Sequence, residues 1–371
     1  MKIGIITMHR VLNYGSALQA YALQHKLEEM GYDSEIIDYV FPPKKEKKDT
    51  FRGVINQIII FLRAMVMGFP QTKKKRKFND FYKRYYHLSN KQYNANTIKE
   101  NPPVYDVYMT GSDQVWNPKH IDMDANFLLA FAPDGAKKIS YASSFATSHI
   151  QNSHKLLYKK WFTEYTSISV REQSGVGIVK ELSGKDAAVC CDPVFLLKKE
   201  QWDALANASH VNVKERYILV YALYYMFDPY PELLQIIDHV QMQLGCKVIY
   251  LDGRKDDIFR KNSRVIKSEG PADFIQLVRG AEIVITSSFH GTAFSLIYEK
   301  PLMAIVRGSD TEDSRITSLL SQVHAENSIT IYNKGCNMRR DELYKLRNMR
   351  GDIEKYIKES EDYLTTVLDN E

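Results

Sequence analysis

The chain has 371 residues, 44% hydrophobic and 26% charged, a composition that suits a globular protein and excludes global disorder or a fibrous repeat. A single hydrophobic core rarely organises a chain of that length, so two domains are expected. The net charge of +5 is unevenly spread: residues 42–100 hold 15 Lys/Arg against 4 Asp/Glu, which leaves the remainder acidic.

In chain order, Lys2–Thr7 reads as a short apolar strand and His9–Gly15 as a polar loop. Ser16–Met30 has helical spacing of Leu18, Tyr21, Ala22, Leu27 and Met30, Gly31 closes it, and Ser34–Tyr39 is the next strand. A strand–helix–strand unit of this kind requires parallel pairing. Residues 42–100 read as a basic helical insertion, in which the runs Lys44–Lys48 and Lys73–Lys77 flank an apolar helix at Val54–Met67. The favoured reading is a solvated helix packed on its own domain; docking on an anionic membrane surface is the alternative. Nucleic acid is not expected, because the basic runs lack interleaved aromatics.

Further strands end in polar clusters. Val104–Thr110 runs into Gly111-Ser112-Asp113-Gln114, Lys137–Ala142 into Ser143-Ser144, Ser167–Val170 into Arg171-Glu172, and Ala187–Cys190 into Asp192-Pro193. A second series starts near Tyr217, with strands at 217–222, Lys247–Leu251, near Val265, Ile283–Thr286 and Leu302–Val306, and helices at about 229–243, Pro271–Arg279 and Thr292–Tyr298. From about 338 the chain is helical and highly charged. This alternation predicts an α/β protein of two Rossmann-like, doubly wound domains, 1–205 with the insertion and 206–371 with the charged tail. Ligands of such folds sit outside the carboxyl ends of the strands, where the polar clusters fall.

The start of the chain lacks the apolar run of roughly 7–15 residues of a signal peptide. No stretch reaches the roughly 18–20 apolar residues of a membrane span. Cys190, Cys191, Cys246 and Cys336 show no C-x-x-C spacing. These features point to a reduced, cytoplasmic location, with peripheral contact at the inner face of the membrane through 42–100 as the alternative.

The most informative segment is the loop Ser287-Ser288-Phe289-His290-Gly291 leading into Thr292. Unpaired backbone N–H groups at a helix start, read here at Gly291-Thr292, favour an anion such as phosphate. Ser288 and Thr292 hydroxyls add donors, and Gly291 allows close approach. His290 can donate to a phosphate or transfer a proton near neutral pH. Arg171, beside Glu172, can clamp a carboxylate or phosphate with paired hydrogen bonds. Asn13-Tyr14-Gly15-Ser16 with Gln19 offers donors for sugar hydroxyls and is not a G-x-G-x-x-G fingerprint. Gly111-Ser112-Asp113-Gln114 adds a carboxylate and an amide, and Ser143 and Ser144 add hydroxyls. Asp113, Asp122, Asp124 and His120 fit no defined metal spacing, so neither metal nor cofactor is expected.

At these residues the sequence resembles the polysaccharide pyruvyl transferase family. The elements are Asn13-Tyr14-Gly15-Ser16 with Gln19, Gly111-Ser112-Asp113-Gln114-x-Trp116, Tyr141-Ala142-Ser143, Ser169-Val170-Arg171-Glu172, Asp192-Pro193 and Ser288-Phe289-His290-Gly291-Thr292. They occur in family order over about 1–40 and 104–310. Ser16 and the 111–113 triplet depart from the Asp and the glycine triplet of many members. The resemblance implies the two-domain arrangement of GT-B glycosyltransferases, with the acceptor on the N-terminal side and the donor phosphate on the C-terminal side. It implies transfer of a pyruvyl group from phosphoenolpyruvate, a donor substrate rather than a cofactor, to a sugar diol in cell-surface or exopolysaccharide biosynthesis. The acceptor it implies is a carbohydrate, free or lipid-linked, with His290 and Arg171 catalytic. Two other readings stay open: a glycosyltransferase using a nucleotide-sugar, with Glu299 as the nearest carboxylate for a ribose, and a non-catalytic carbohydrate-binding protein.

Overall fold

Short apolar runs separated by helices can pair only in parallel, since the helix returns the chain to the edge it left. A computed structural model of the chain describes residues 1–41, 70–121, 124–224, 227–254, 257, 260–308, 314–345 and 350–369. Strands β1 (Lys2–Ile6), β2 (Asp33–Tyr39), β3 (Leu88–Tyr93), β4 (Val107–Thr110) and β5 (Lys137–Ser140) form one parallel sheet in the order β3-β2-β1-β4-β5. Parallel bridges Ile139–Ser167 and Ser143–Val170 join it to the short pair β6 (Ser169–Val170) and β7 (Ala188–Val189). Strands β8 (Tyr217–Tyr221), β9 (Lys247–Leu251), β10 (Ser263–Ile266), β11 (Ile283–Thr286), β12 (Leu302–Val306) and β13 (Ile329–Ile331) form a second, in the order β10-β9-β8-β11-β12-β13. Every residue of β8, β11 and β12 is buried, which explains their continuous apolar runs.

Among the described residues, the helices of eight residues or more are α1 (Tyr14–Glu29), α2 (Pro70–Tyr85), α3 (Asn152–Phe162), α4 (Gln173–Ser183), α5 (Lys199–Ala206), α6 (Glu232–Leu244), α7 (Pro271–Gly280), α8 (Phe289–Ile297), α9 (Ser314–Gln322) and α10 (Arg350–Asp369). The strand order reverses between β1 and β4 in the first sheet and between β8 and β11 in the second. These are the two switch points at which doubly wound folds place ligands. Tyr14 at the start of α1 joins the domains, its ring stacked on Phe274 of α7 (centroids 5.2 Å apart, planes 4° apart).

Three details differ from the sequence reading. First, α8 begins at Phe289 rather than at Thr292, because Ser288 caps it: the Gly291 N–H donates to Ser288 Oγ (3.3 Å). Second, the insertion is not wholly helical. Its apolar stretch Val54–Met67 lies outside the described residues, but β3 joins the first sheet as an edge strand; its sequence LSNKQY is too polar to show strand alternation. The second basic run lies on α2 and faces acidic residues of the other domain, Lys74 donating to Asp252 (2.6 Å) and Lys77 to Asp273 (2.7 Å) and Glu269. Third, α10 packs on the N-terminal half: Tyr363 donates to the Ser140 carbonyl (3.0 Å), Cys191 N–H to Ser360 Oγ (2.8 Å), and Lys26 pairs with Glu361. The four cysteines are free thiols. No helix among the described residues is long and apolar enough to cross a membrane.

Candidate active site

The loops at the two switch points face each other across a cleft of about 300 Å³. The first domain lines it with Met8, Val11, Leu12, Asn13, Ser16, Asp113 and Gln114; Leu223, Ser288, Phe289, His290 and Arg315 complete it. Seven of the residues expected from sequence therefore share one cavity: Asn13, Ser16, Asp113, Gln114, Ser288, Phe289 and His290.

His290 is the second residue of α8, and its imidazole packs against Gly15 of the other domain. A Cβ at Gly15 would stand 2.6 Å from His290 Cε1 and closer still to Nδ1 and Cγ. Glycine is required there because the ring occupies the space of a side chain. On its other side His290 faces Asp192, with Nε2 3.4 Å from Oδ2. Nε2 has no hydrogen-bond partner among the described residues, so this contact is one of proximity rather than an aligned bond. Asp192 Oδ2 also accepts from Arg171 Nη1 (2.5 Å) and Ser112 Oγ (3.3 Å), and Oδ1 accepts from Val194 N–H (3.2 Å). Burial alone would push the Asp192 carboxyl up, but His290 and Arg171 outweigh it and hold the carboxyl down at about 2. Arg171 is shifted upward: burial opposes its charge, and Asp192, Glu172 and Asp113 more than compensate.

Arg171 is 3% exposed, its guanidinium carbon 4.1 Å from the centroid of the Phe289 ring. One arm holds Asp192, while Nε and Nη2 are buried with no partner among the described residues. Buried donors are almost always satisfied, so two idle nitrogens on one guanidinium call for an acceptor that none of the described residues supplies. The first turn of α8 adds the N–H groups of Phe289 and His290, which have no intrahelical acceptor. Together these donors make a site for a small anion.

This moves the anion donors from where the sequence put them. The Gly291 N–H serves the Ser288 cap, and both the Thr292 N–H (2.9 Å) and hydroxyl (3.1 Å) donate to the Ser288 carbonyl. Gly291 is small for packing, since a Cβ would lie 3.0 Å from Thr286 Cβ. Several residues expected to touch substrate are scaffold instead. Tyr14 donates to Asp252 (2.9 Å) in the domain interface. Gln19 donates to Thr7 Oγ1 (2.9 Å), Ser112 to the Ala142 carbonyl (2.8 Å) and Ser143 to the Gly111 carbonyl (2.9 Å). Ser144 donates to Glu172 Oε1, which also accepts from Ala146 N–H (3.1 Å). Gly111 packs on Thr7 and Ile5. Ser112 and Ser143 show one reason, short hydroxyls at strand ends pairing with nearby loop backbone, while Tyr14, Gln19 and Ser144 are taken up by other side chains. Of the carboxylates considered for a metal, Asp124 accepts from the Tyr39 hydroxyl, Asp113 from Ser16, and Asp122 lies outside the described residues. Glu299 is exposed beyond the end of α8 and does not line the cleft.

Sequence reasoning gave Asp192 no role and passed over Arg315. Asp192 had a signal, its place just after β7 at a strand end. Arg315 had none, since it enters from α9, far along the chain.

The family model for polysaccharide pyruvyl transferases matches residues 13–309. The chain belongs to that family. None of the curated proteins compared matches the sequence. Solved structures similar to this polysaccharide pyruvyl transferase family member include UDP-GlcNAc 2-epimerase from Methanocaldococcus jannaschii in complex with UDP-GlcNAc and UDP (TM-score 0.55, 12% identity, covering 99% of this chain and 100% of that one). Others are the epimerase from Neisseria meningitidis bound to UDP-GlcNAc (0.53, 9%, 100% and 100%) and that from Rickettsia bellii (0.52, 10%, 100% and 96%). At such identities the likeness concerns the fold, two Rossmann-like domains in the GT-B arrangement.

Proposed function

We propose that the protein transfers the pyruvyl group of phosphoenolpyruvate to two hydroxyls of a carbohydrate, forming a pyruvate ketal and releasing phosphate. The observation that carries this reading is the buried Arg171 guanidinium with two idle nitrogens, together with the Phe289 and His290 N–H groups at the start of α8. Phosphoenolpyruvate brings a carboxylate and a phosphate on adjacent atoms, and a forked donor plus a helix N-terminus matches such a pair. His290 is the acid that protonates the methylene carbon. Asp192 stays ionised in its burial and stabilises the imidazolium that protonates the donor. Phe289 and Gly15 fix the donor geometry by packing on Arg171 and His290.

The test needs no acceptor. Unfolding temperature is measured with phosphoenolpyruvate and, separately, with UDP-, GDP- and CMP-sugars. At about 100 times its Kd a ligand stabilises by roughly 2.7 kcal/mol. Phosphoenolpyruvate should shift the transition, and Arg171→Lys, which keeps a charge on Asp192 but removes the fork, should weaken that shift at least tenfold in affinity. A shift with a nucleotide-sugar alone would replace this function with glycosyl transfer.

A further inference from the structure

Ketal formation needs a base as well as an acid, because each sugar hydroxyl must lose its proton to bond carbon. We propose that Asp113 is that base, accepting the proton of the attacking hydroxyl; the inference rests on the ketal-forming reading above. Among the described residues lining the cleft, Asp113 carries the one carboxylate, and it belongs to the N-terminal loops opposite His290 and Ser288. It is 7% exposed, and its backbone is left-handed (φ 70°), a conformation that costs a non-glycine residue. The strain is held in place: the Asp113 carbonyl accepts from Ser144 N–H (3.0 Å) and Oδ1 accepts from Gln114 N–H (2.8 Å). The Ser16 hydroxyl donates to Oδ2 and fixes the carboxylate plane. Each oxygen keeps a second lone pair for a substrate hydroxyl. Asp113 also lies near enough to Arg171 to favour the guanidinium charge, which sets it beside the anion site.

The steps balance. The O–H bond of the first hydroxyl breaks toward Asp113 as its oxygen bonds C2 of the donor, and C3 takes a proton from His290 to become methyl. The second hydroxyl then gives its proton to His290 as its oxygen closes on C2, the C2–O bond to phosphate breaks, and the phosphate leaves with the bonding pair and takes the proton held by Asp113, which restores both side chains. The two protons given up by the diol end on C3 and on phosphate. No oxidant or further reactant is needed.

The experiment compares wild-type, Asp113→Asn and Ser16→Ala proteins in two assays. One is the phosphoenolpyruvate-induced shift in unfolding temperature. The other is phosphate release from phosphoenolpyruvate across a pH series, with methyl hexopyranosides bearing a free 4,6-diol as acceptors. Asp113→Asn should keep the shift and lose release by roughly 10²–10⁴-fold. The acidic limb of the rate profile should vanish with it, and Ser16→Ala, which leaves the base but frees its orientation, should lose roughly tenfold. Near-wild-type release by Asp113→Asn, an unchanged acidic limb, or loss of the donor-induced shift itself would overturn the assignment. If Asp113→Asn does not fold, the Ser16→Ala profile decides: unaltered release refutes a carboxylate poised by that hydroxyl. A wild-type protein that fails to bind phosphoenolpyruvate overturns the proposed function instead. One that binds it yet releases phosphate to none of these diols, nor to water, overturns both.

Discussion

The contact between Gly15 and His290 yields a prediction in which one substitution changes sign with its background. Alanine in place of glycine inside a helix normally stabilises by roughly 0.5–1 kcal/mol, because the unfolded chain loses freedom. Gly15 is the second residue of α1, yet its added Cβ would lie 2.6 Å from His290 Cε1. Carbon atoms rest at about 3.5–4.0 Å, and Cγ and Nδ1 lie closer to that Cβ than Cε1 does, so the ring must retreat by more than about 1 Å. Overpacking of that kind costs about 1–3 kcal/mol, enough to exceed the helix gain. Gly15→Ala should therefore destabilise the wild-type protein by about 1–2 kcal/mol. In a His290→Ala background the ring is gone, and the same change should be neutral or stabilising by up to about 1 kcal/mol. The four proteins of this cycle, unfolded in urea, should show a coupling of about 1–3 kcal/mol. Turnover follows the same logic: a proton donor displaced by about 1 Å should cost roughly 10²-fold. The double variant should then be no slower than His290→Ala alone. Additivity of the two stability changes to within about 0.5 kcal/mol would refute the packing argument.

Asp192→Asn keeps the shape but leaves Arg171 buried without its anion, and should cost about 3–5 kcal/mol in urea unfolding and at least roughly 10²-fold in turnover. The Asp192 carboxyl falls from an ordinary 3.8 to about 2 on folding, so it contributes about 2 kcal/mol that is fully present above about pH 4 and lost as pH falls toward 2. Wild-type stability should therefore drop more steeply between pH 4 and pH 2 than that of Asp192→Asn; parallel curves would contradict the pairing. Lys77→Ala, at a half-exposed pair with Asp273 and Glu269, should cost no more than about 1 kcal/mol at low salt and less at high salt, measured by unfolding in both. Gly291→Ala, whose Cβ would stand 3.0 Å from Thr286 Cβ and closer still to Oγ1, should lose about 1–3 kcal/mol and weaken phosphoenolpyruvate binding by shifting the start of α8.

Most of the fold was legible because its strands are buried on both faces: β1, β8, β11 and β12 are unbroken apolar runs ending in polar loops. β3 was not, since an edge strand of polar residues carries no apolar period. The start of α8 was misplaced because Gly291 looks like a boundary, whereas the cap is the Ser288 hydroxyl three residues earlier. Within the site, strand-end position found the right loops but not which side chains turn toward the cleft. Ser143 and Ser144 differ from Ser288 only in finding a carbonyl or a carboxylate nearby, a matter of tertiary contact. Ser16 and Asp113, read separately as departures from the family pattern, are hydrogen-bonded to each other across 97 residues. No local spacing could reveal that pairing.

The site is divided between domains in a way that separates its two tasks. Arg171 and Asp192 follow the last strands of the first domain and hold each other, but they also reach Phe289 and His290 of the second. His290 in turn rests on Gly15 of the first. The proposed anion site and proposed acid are therefore assembled from both domains. Docking is held by Tyr14 and Lys74 on Asp252 and by Lys77 on Asp273, contacts that lie outside the cleft. The opposite wall, Met8, Val11, Leu12 and Gln114, takes no part in these contacts. Substitutions on that wall can alter the shape offered to the acceptor while the donor machinery keeps its geometry. Acceptor choice should thus vary more readily than the chemistry, and residues 11, 12 and 114 are where it should be read.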